Sequence, residues 1–304
     1  MSQKKEETPG HITIALAVYN GEDTVSEAVK SLLGQSYQNF DLFVVDDAST
    51  DGTFTVLQSL LPEDRRLHVV RLDKNAGTYS AKNLVLREFC RGEFFAHQDA
   101  DDISWEQRLE RQVNYLNHHL EVAACGTGID EFYADLSSGP TTPSDYPPEF
   151  EERNGFFHRK NLYDPWIPRG ACFDYSIENL AHIKIAMNGS MLFRAAELKG
   201  LGGFDGRTWL AGDTELFWRL LVCHPLGNLQ EVLYSRRFHS ASLTKSKTYG
   251  FGSDMRTRYA QKIKAHMMKL QEFYRRGDTV ALTEGTTQDM YVAPVAYQVF
   301  HGGS

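Results

Sequence analysis

Asp99, Asp101 and Asp102 place three carboxylates within four positions, just after the apolar run 94–97. Like charges this close repel one another unless a cation or solvent compensates them. Magnesium or manganese does so economically, held by one or two carboxylates and by two phosphate oxygens of a substrate. A solvated acidic loop leading into a helix over 105–118 accounts for the same residues without a metal. A second acidic pair, Asp46-Asp47, lies in the segment Val-Val-Asp-Asp-Ala-Ser-Thr-Asp-Gly over 44–52. Turn and cap chemistry explains Ser49, Thr50 and Asp51 but does not require two adjacent aspartates. A carboxylate there can accept hydrogen bonds from a base imide N–H or a ribose hydroxyl.

These clusters need elements to hold them. Short β-branched runs over 12–18, 42–45, 67–72 and 94–97 alternate with amphipathic stretches over 24–33, 54–61 and 79–89. Strand and helix alternating at this spacing imply βαβ units and a mostly parallel sheet, whose ligands bind beyond the carboxyl ends of the strands. The polar clusters fall there: Tyr19-Asn20, Asp46-Asp47, Asn75-Ala76-Gly77 and Asp99 to Asp102. Downstream, 135–182 is rich in Pro, Asp, Gly and aromatic residues and reads as a long insertion or lid. Apolar patterning returns over 183–193, followed by a Gly-Gly-Phe-Asp turn at 202–205, a helix over 213–223 and a strand over 229–238. A basic helix over 256–276 carries an apolar stripe through Tyr259, Ile263, Met267, Leu270 and Tyr274. That stripe must be covered, either by a second copy in a homodimer or by the chain's own domain.

Composition narrows the partners. A net charge of −8 does not supply the clustered cations that a nucleic-acid backbone requires, so no nucleic-acid partner is expected. Four scattered cysteines without zinc-ligand spacing read as buried thiols, and no run approaches the roughly 18 apolar residues of a membrane span. A cytoplasmic setting is expected, compatible with a peripheral position at the inner face of a membrane.

Ala17-Val18-Tyr19-Asn20, the Val-Asp-Asp-Ala-Ser segment, the segment from Asn75 to Asn83, Asp99-Ala100-Asp101, Gly203-Phe204-Asp205 and the segment from Gly212 to Arg219 together resemble glycosyltransferase family 2 over about 12–239. The resemblance implies a GT-A fold: a Rossmann-like, mostly parallel central sheet flanked by helices, with an acceptor-side insertion and a C-terminal helical appendage. The expected division is an unstructured start (1–10), a catalytic domain (11–245) and a helical extension (246–304). Within the catalytic domain a nucleotide half (11–102) precedes an acceptor half (103–245).

The resemblance also implies roles. Ala17 and Tyr19 would line the nucleotide pocket, Asp46 and Asp47 would lie at the nucleoside with Asp47 reading the base, and Asn75, Gly77 and Lys82 would stand beside ribose and diphosphate. Lys82 takes a place where the family usually has arginine, so a two-pronged phosphate contact is lost although the charge remains. Asp99 would touch ribose or metal and Asp101 would ligate Mn2+ or Mg2+, with His239 as a further candidate ligand. Inversion at the sugar carbon needs a base for the acceptor hydroxyl. Asp213 matches the family's base position, although capping the helix after it is an equally ordinary job for an aspartate. Glu215 is the lesser candidate for base and, with Asn188 and Trp209, falls on the acceptor side. Trp209 and Trp166 offer flat faces of the kind sugars rest on.

The expected function is inverting transfer from a UDP-sugar to a hydroxyl of a saccharide or lipid-linked saccharide, in bacterial surface polysaccharide synthesis. A catalytically inactive carbohydrate- or partner-binding module of the same fold is the alternative, which retention of both Asp101 and Asp213 disfavours. A dinucleotide-dependent dehydrogenase is disfavoured because Tyr19-Asn20-Gly21-Glu22 lacks the glycine pattern of the phosphate turn.

Overall fold

A computed structural model describes residues 8–133, 151–153, 156–169, 171, 185–239, 247, 248, 250 and 252–303. Its strands are β1 (Thr8–Val18), β2 (Phe40–Asp46), β3 (Leu67–Leu72), β4 (Gly92–Asp99), β5 (Ile103–Ser104), β6 (Ala124–Tyr133), β7 (Glu151–Arg153), β8 (Phe156–Asn161), β9 (Trp166–Ile167), β10 (Leu192–Arg194), β11 (Leu226–Phe238) and β12 (Tyr297–His301). The helices are α1 (Val25–Leu33), α2 (Thr53–Leu60), α3 (Thr78–Leu84), α4 (Arg108–His118), α5 (Ala195–Gly200), α6 (Gly212–Cys223), α7 (Asp254–Arg276) and α8 (Thr279–Thr286).

The main sheet runs β12-β3-β2-β1-β4-β10-β6-β11-β5. Pairing is parallel from β3 through β2 and β1 to β4 and again between β6 and β11, while β10 is antiparallel to both its neighbours. The inner strands are apolar on both faces, and alternate residues sort to opposite sides as a two-residue repeat dictates. Ala15, Phe43, Val45, Val70 and Phe95 enter one core with α3, α5, α6, α7 and α8. Ile14, Leu42, Val44, Val69 and Phe94 enter the other with α1, α2 and α4. In α1 the buried Val25, Ala28, Val29 and Leu32 follow the spacing that gives a helix one apolar side. The sheet is therefore covered by helices on both faces.

Within 135–182 the described residues form β7, β8 and β9, with β8 antiparallel to β6 and β9 antiparallel to β11. The rest of that expected insertion lies outside the described residues. Cys90, Cys125 and Cys223 are free thiols, and Cys172 also lies outside them.

The helix expected over 256–276 is α7, and the chain itself covers much of its stripe. Met267 and Leu270 are buried, and Ile263 and Phe273 pack beside them on the core shared with α6. The helical reading of 246–304 omitted β12, which returns antiparallel to β3. Its approach is bonded to the first half of the chain: Asn83 Nδ2 donates to Tyr291 O (2.9 Å), Ala293 N–H to Ser80 Oγ (2.8 Å) and Ala296 N–H to Asp73 Oδ1 (3.0 Å).

Candidate active site

The carboxyl ends of β1, β2 and β4 stand level, with Val18 beside Asp46 and Ala17 beside Asp99. Two turns leave these ends and are bonded to each other. Asn20 N–H donates to Ser49 Oγ (3.0 Å), Thr50 N–H to Asn20 Oδ1 (2.8 Å) and Gly21 N–H to Thr53 Oγ1 (2.9 Å). Asn20 (φ 53°), Ala48 (φ 62°) and Ala211 (φ 53°) hold left-handed backbone without being glycine, at a cost on the order of 1 kcal/mol each. All three lie in turns at this rim, and Tyr19, 50% exposed, stands on it.

Asp46 and Asp47 divide their labour. Asp46 is fully buried and accepts the Ser49 N–H at 2.9 Å, which closes the turn. Asp47 accepts the N–H groups of Ala76 (2.6 Å) and Gly77 (2.9 Å) and so ties the β3–α3 loop to β2. Burial pushes the Asp47 carboxyl above its ordinary range, against the two amide hydrogen bonds. Asn75 Oδ1 also accepts from Gly77 N–H, at 3.2 Å. Gly77 has φ 84°, and a Cβ there would lie 3.5 Å from the Trp209 ring. Trp209 therefore lies against the β3–α3 loop, with 46% of its surface exposed.

The acidic triplet separates into three environments. Asp99 Oδ1 lies 3.1 Å from Lys82 Nζ, whose side chain is only 1% exposed. Burial would raise the Asp99 carboxyl, but the Lys82 charge with its neighbours outweighs burial and holds it below the usual range. Asp101 Oδ2 meets His239 Nε2 at 2.9 Å, and both side chains retain access to solvent. Asp102 is buried, accepting from Tyr234 OH (2.7 Å) and Arg237 N–H (2.8 Å). Burial, with the charges of Asp101 and Asp99, pushes the Asp102 carboxyl well above its ordinary range. Asp102 therefore pins β11 beneath the rim.

Asp213 stands in the first turn of α6, and no side chain caps that helix. The capping role open to Asp213 in the sequence is not the one its carboxylate takes: Oδ1 accepts from Tyr79 OH at 3.2 Å. Burial and the Asp213 charge push the Tyr79 phenol well above its ordinary range, so it remains a donor. Glu215 is engaged otherwise. Both of its oxygens are taken by Arg219, at 2.6 and 2.7 Å, and Arg219 also donates to Leu201 O and Gly203 O. Asn188 is buried with its Oδ1 2.9 Å from His97 Nε2, so it forms part of the floor beneath Asp99. A Cβ at Gly189 would fall 2.1 Å from Tyr234 OH, which explains the glycine beside it. Arg236 pairs with Glu131 at 3.3 Å and Arg237 with Glu27.

The expected residues thus converge as Asp99 with Lys82, Asp101 with His239, Asp47 with the 75–77 loop, and Asp213 opposite α3. Tyr79, Tyr234, Arg219 and Asn83 were not singled out by sequence. Asn83 brackets the Gly-Gly-Phe-Asp turn by donating to Phe204 O (2.8 Å) and accepting Phe204 N–H (3.0 Å). Its place in the Asn75 to Asn83 motif was the available signal.

A metal fits this donor set in one way. Asp101 and His239 offer one carboxylate oxygen and one imidazole nitrogen, and no group of three His, Cys, Asp or Glu side chains suited to a metal exists among the described residues. The remaining positions of a Mg2+ or Mn2+ would fall to substrate phosphates and water, as these ions favour.

The mixed, mostly parallel sheet with helices on both faces is that of a GT-A fold. The family model for glycosyl transferase family 2 matches residues 13–180, and the chain belongs to that family. The Bacillus subtilis (strain 168) protein named as a teichuronic acid biosynthesis glycosyltransferase, TuaG, is 36% identical over 130 residues, covering 40% of this chain and 51% of its own length. The chain spans about half the length of the curated relatives it matches first. Among solved structures, S. aureus TarS 1-349 in complex with UDP shares the fold, with a TM-score of 0.56 at 17% identity over 87% of this chain and 72% of that one. The mannosyltransferase PcManGT from Pyrobaculum calidifontis, in complex with GDP-Man and Mn2+, has a TM-score of 0.50 at 17% identity, covering 93% and 69%. No described helix is long and apolar enough to cross a membrane.

The contact between Tyr79 and Asp213 gives a first expected result. If Asp213 acts as the base for a transfer from a nucleotide sugar, Tyr79→Phe should lower kcat several-fold while leaving the donor KM unchanged, because the lost hydroxyl orients Asp213. Steady-state kinetics at varied donor concentration checks it; a raised KM with unchanged kcat would assign Tyr79 to donor binding.

Proposed function

We propose that the protein is an inverting, metal-dependent glycosyltransferase that moves a sugar from a UDP-sugar to a hydroxyl of a saccharide or lipid-linked saccharide, in the synthesis of a bacterial surface polysaccharide. The single observation that carries this reading is the placement of Asp213. Its carboxylate is oriented by Tyr79, takes no part in capping α6, and sits on the rim that also holds Asp99, Asp101 and the tethered 75–77 loop.

In this reading Ala17, Tyr19 and the loop fixed by Asp47 receive the nucleoside, with Asp46 holding the turn behind it. Lys82 fixes Asp99, which turns its other oxygen to ribose or metal. Asp101 and His239 would hold Mn2+ or Mg2+, which when bound neutralises charge on the departing diphosphate. Trp209 and the segment floored by Asn188 border the acceptor. Asp213 removes the acceptor hydroxyl's proton as that oxygen bonds to the sugar carbon and the bond to the diphosphate breaks on the opposite face. Glu215, clamped by Arg219, keeps the start of α6 against the 201–203 turn. The likeness to TuaG of teichuronic acid biosynthesis, to TarS in complex with UDP and to PcManGT in complex with Mn2+ supports this reading.

Incubation with a panel of nucleotide sugars and manganese should release free UDP slowly from one of them, as water replaces the acceptor. Release abolished by chelator is the expected result. A protein that binds UDP and releases none from any donor, with or without saccharides, would be a binding module.

A further inference from the structure

Helix α7 presents two unlike faces. Its inner side, with Met267 and Leu270, is buried on the core shared with α6. Its outer side shows Arg258, Lys262, Lys264, Lys269, Arg275 and Arg276, all exposed. With Arg256 the helix holds seven basic residues against Asp254 and Glu272, in a chain whose net charge is −8. The cations are concentrated here while the rest of the molecule is acidic. Apolar side chains stand among them: Met268 is 55% exposed, Met255 37%, and Val280 at the start of α8 66%.

We infer that the outer face of α7, continued by the start of α8, docks on an anionic lipid surface. Lys and Arg near such a surface are attracted to its headgroups, while methionine and valine side chains enter the boundary below them. A purely solvated helix has no use for those apolar groups. A second copy is a poor occupant, since a two-fold contact would set this basic face against itself. The acidic remainder of the molecule is repelled by the same surface, which orients the protein with α7 down. The inference stands without the catalytic assignment. If that assignment holds, a membrane-borne acceptor meets an enzyme whose α7 shares its core with α6, the helix bearing Asp213.

The test is sedimentation of the full chain with vesicles of phosphatidylcholine, with and without phosphatidylglycerol, at low and high salt. Binding is expected only with phosphatidylglycerol and should weaken as salt rises. The triple variant Arg258→Gln, Lys262→Gln, Lys269→Gln should bind on the order of a hundred-fold more weakly, from roughly five-fold per removed charge. Met268→Ser should weaken binding at unchanged charge. Both variants should melt at the wild-type temperature and release UDP at the wild-type rate, since none of these residues belongs to the site. Absent binding, equal binding to both vesicles, or a triple variant that binds like the wild type would overturn the inference. So would capture by soluble heparin without capture by vesicles, or a fall in solution mass in the triple variant, which would give the face to a polysaccharide or to a second copy.

Discussion

Asp213→Asn is expected to lower kcat by on the order of 10² to 10⁴, the usual contribution of a general base, while leaving donor affinity intact. The amide keeps the shape of the side chain and still accepts from Tyr79 OH, 3.2 Å away in the wild type, but it cannot take a proton. Helix α6 should be barely affected, since no side-chain cap is lost. Single-turnover transfer beside calorimetric titration with UDP separates the two quantities. A variant that transfers sugar at the wild-type rate would place the base elsewhere. Glu215 would be the next residue to replace, and its pairing with Arg219 makes a loss of stability the expected outcome there.

Asp101→Ala should abolish the divalent-cation dependence of UDP binding. The wild type with manganese gains stability from a bound ligand as RT ln(1 + [L]/Kd), about 2.7 kcal/mol at a hundred-fold excess over Kd. The variant, and the wild type in chelator, should lose most of that gain, because the diphosphate then meets Asp99 with its charge uncompensated. A thermal-shift series with UDP, manganese and chelator reads the difference. Equal UDP affinity with and without chelator would remove the metal from the mechanism.

Strand–helix alternation was legible because its signal is local: apolar runs for buried parallel strands, and three- and four-residue spacings for α1 and α7. The positions of the polar clusters after strands followed from the same reading. What each carboxylate does was not legible. Asp99, Asp101 and Asp102 are neighbours in sequence, yet Lys82 comes from α3 while Tyr234 and His239 come from β11 and the residue after it, more than 130 residues away. Only the fold distributes them. Asp213 could be read as cap or base, and Tyr79, which orients it, has no periodic or compositional signature. Strand β12 went unseen because Tyr297–His301 lies at the sheet edge with none of its residues buried, so it lacks the continuous apolar run of the inner strands. The stripe on α7 was plain, but whether a second copy or the chain itself covered it depended on where α7 lands.

The bonds from Asn83 to Tyr291, from Ala293 to Ser80 and from Ala296 to Asp73 join residues 208, 213 and 223 positions apart. A ribosome adding 5 to 20 residues per second therefore leaves the β3–α3 loop and α3 without these fastenings for roughly 10 to 40 s after α3 has been made. During that interval β3 is a bare sheet edge, and such an edge is a template for association with other chains. Residues 73–83 are thus translated long before the 291–296 segment that fastens them. Their vulnerability lies in the nascent chain rather than in the folded protein.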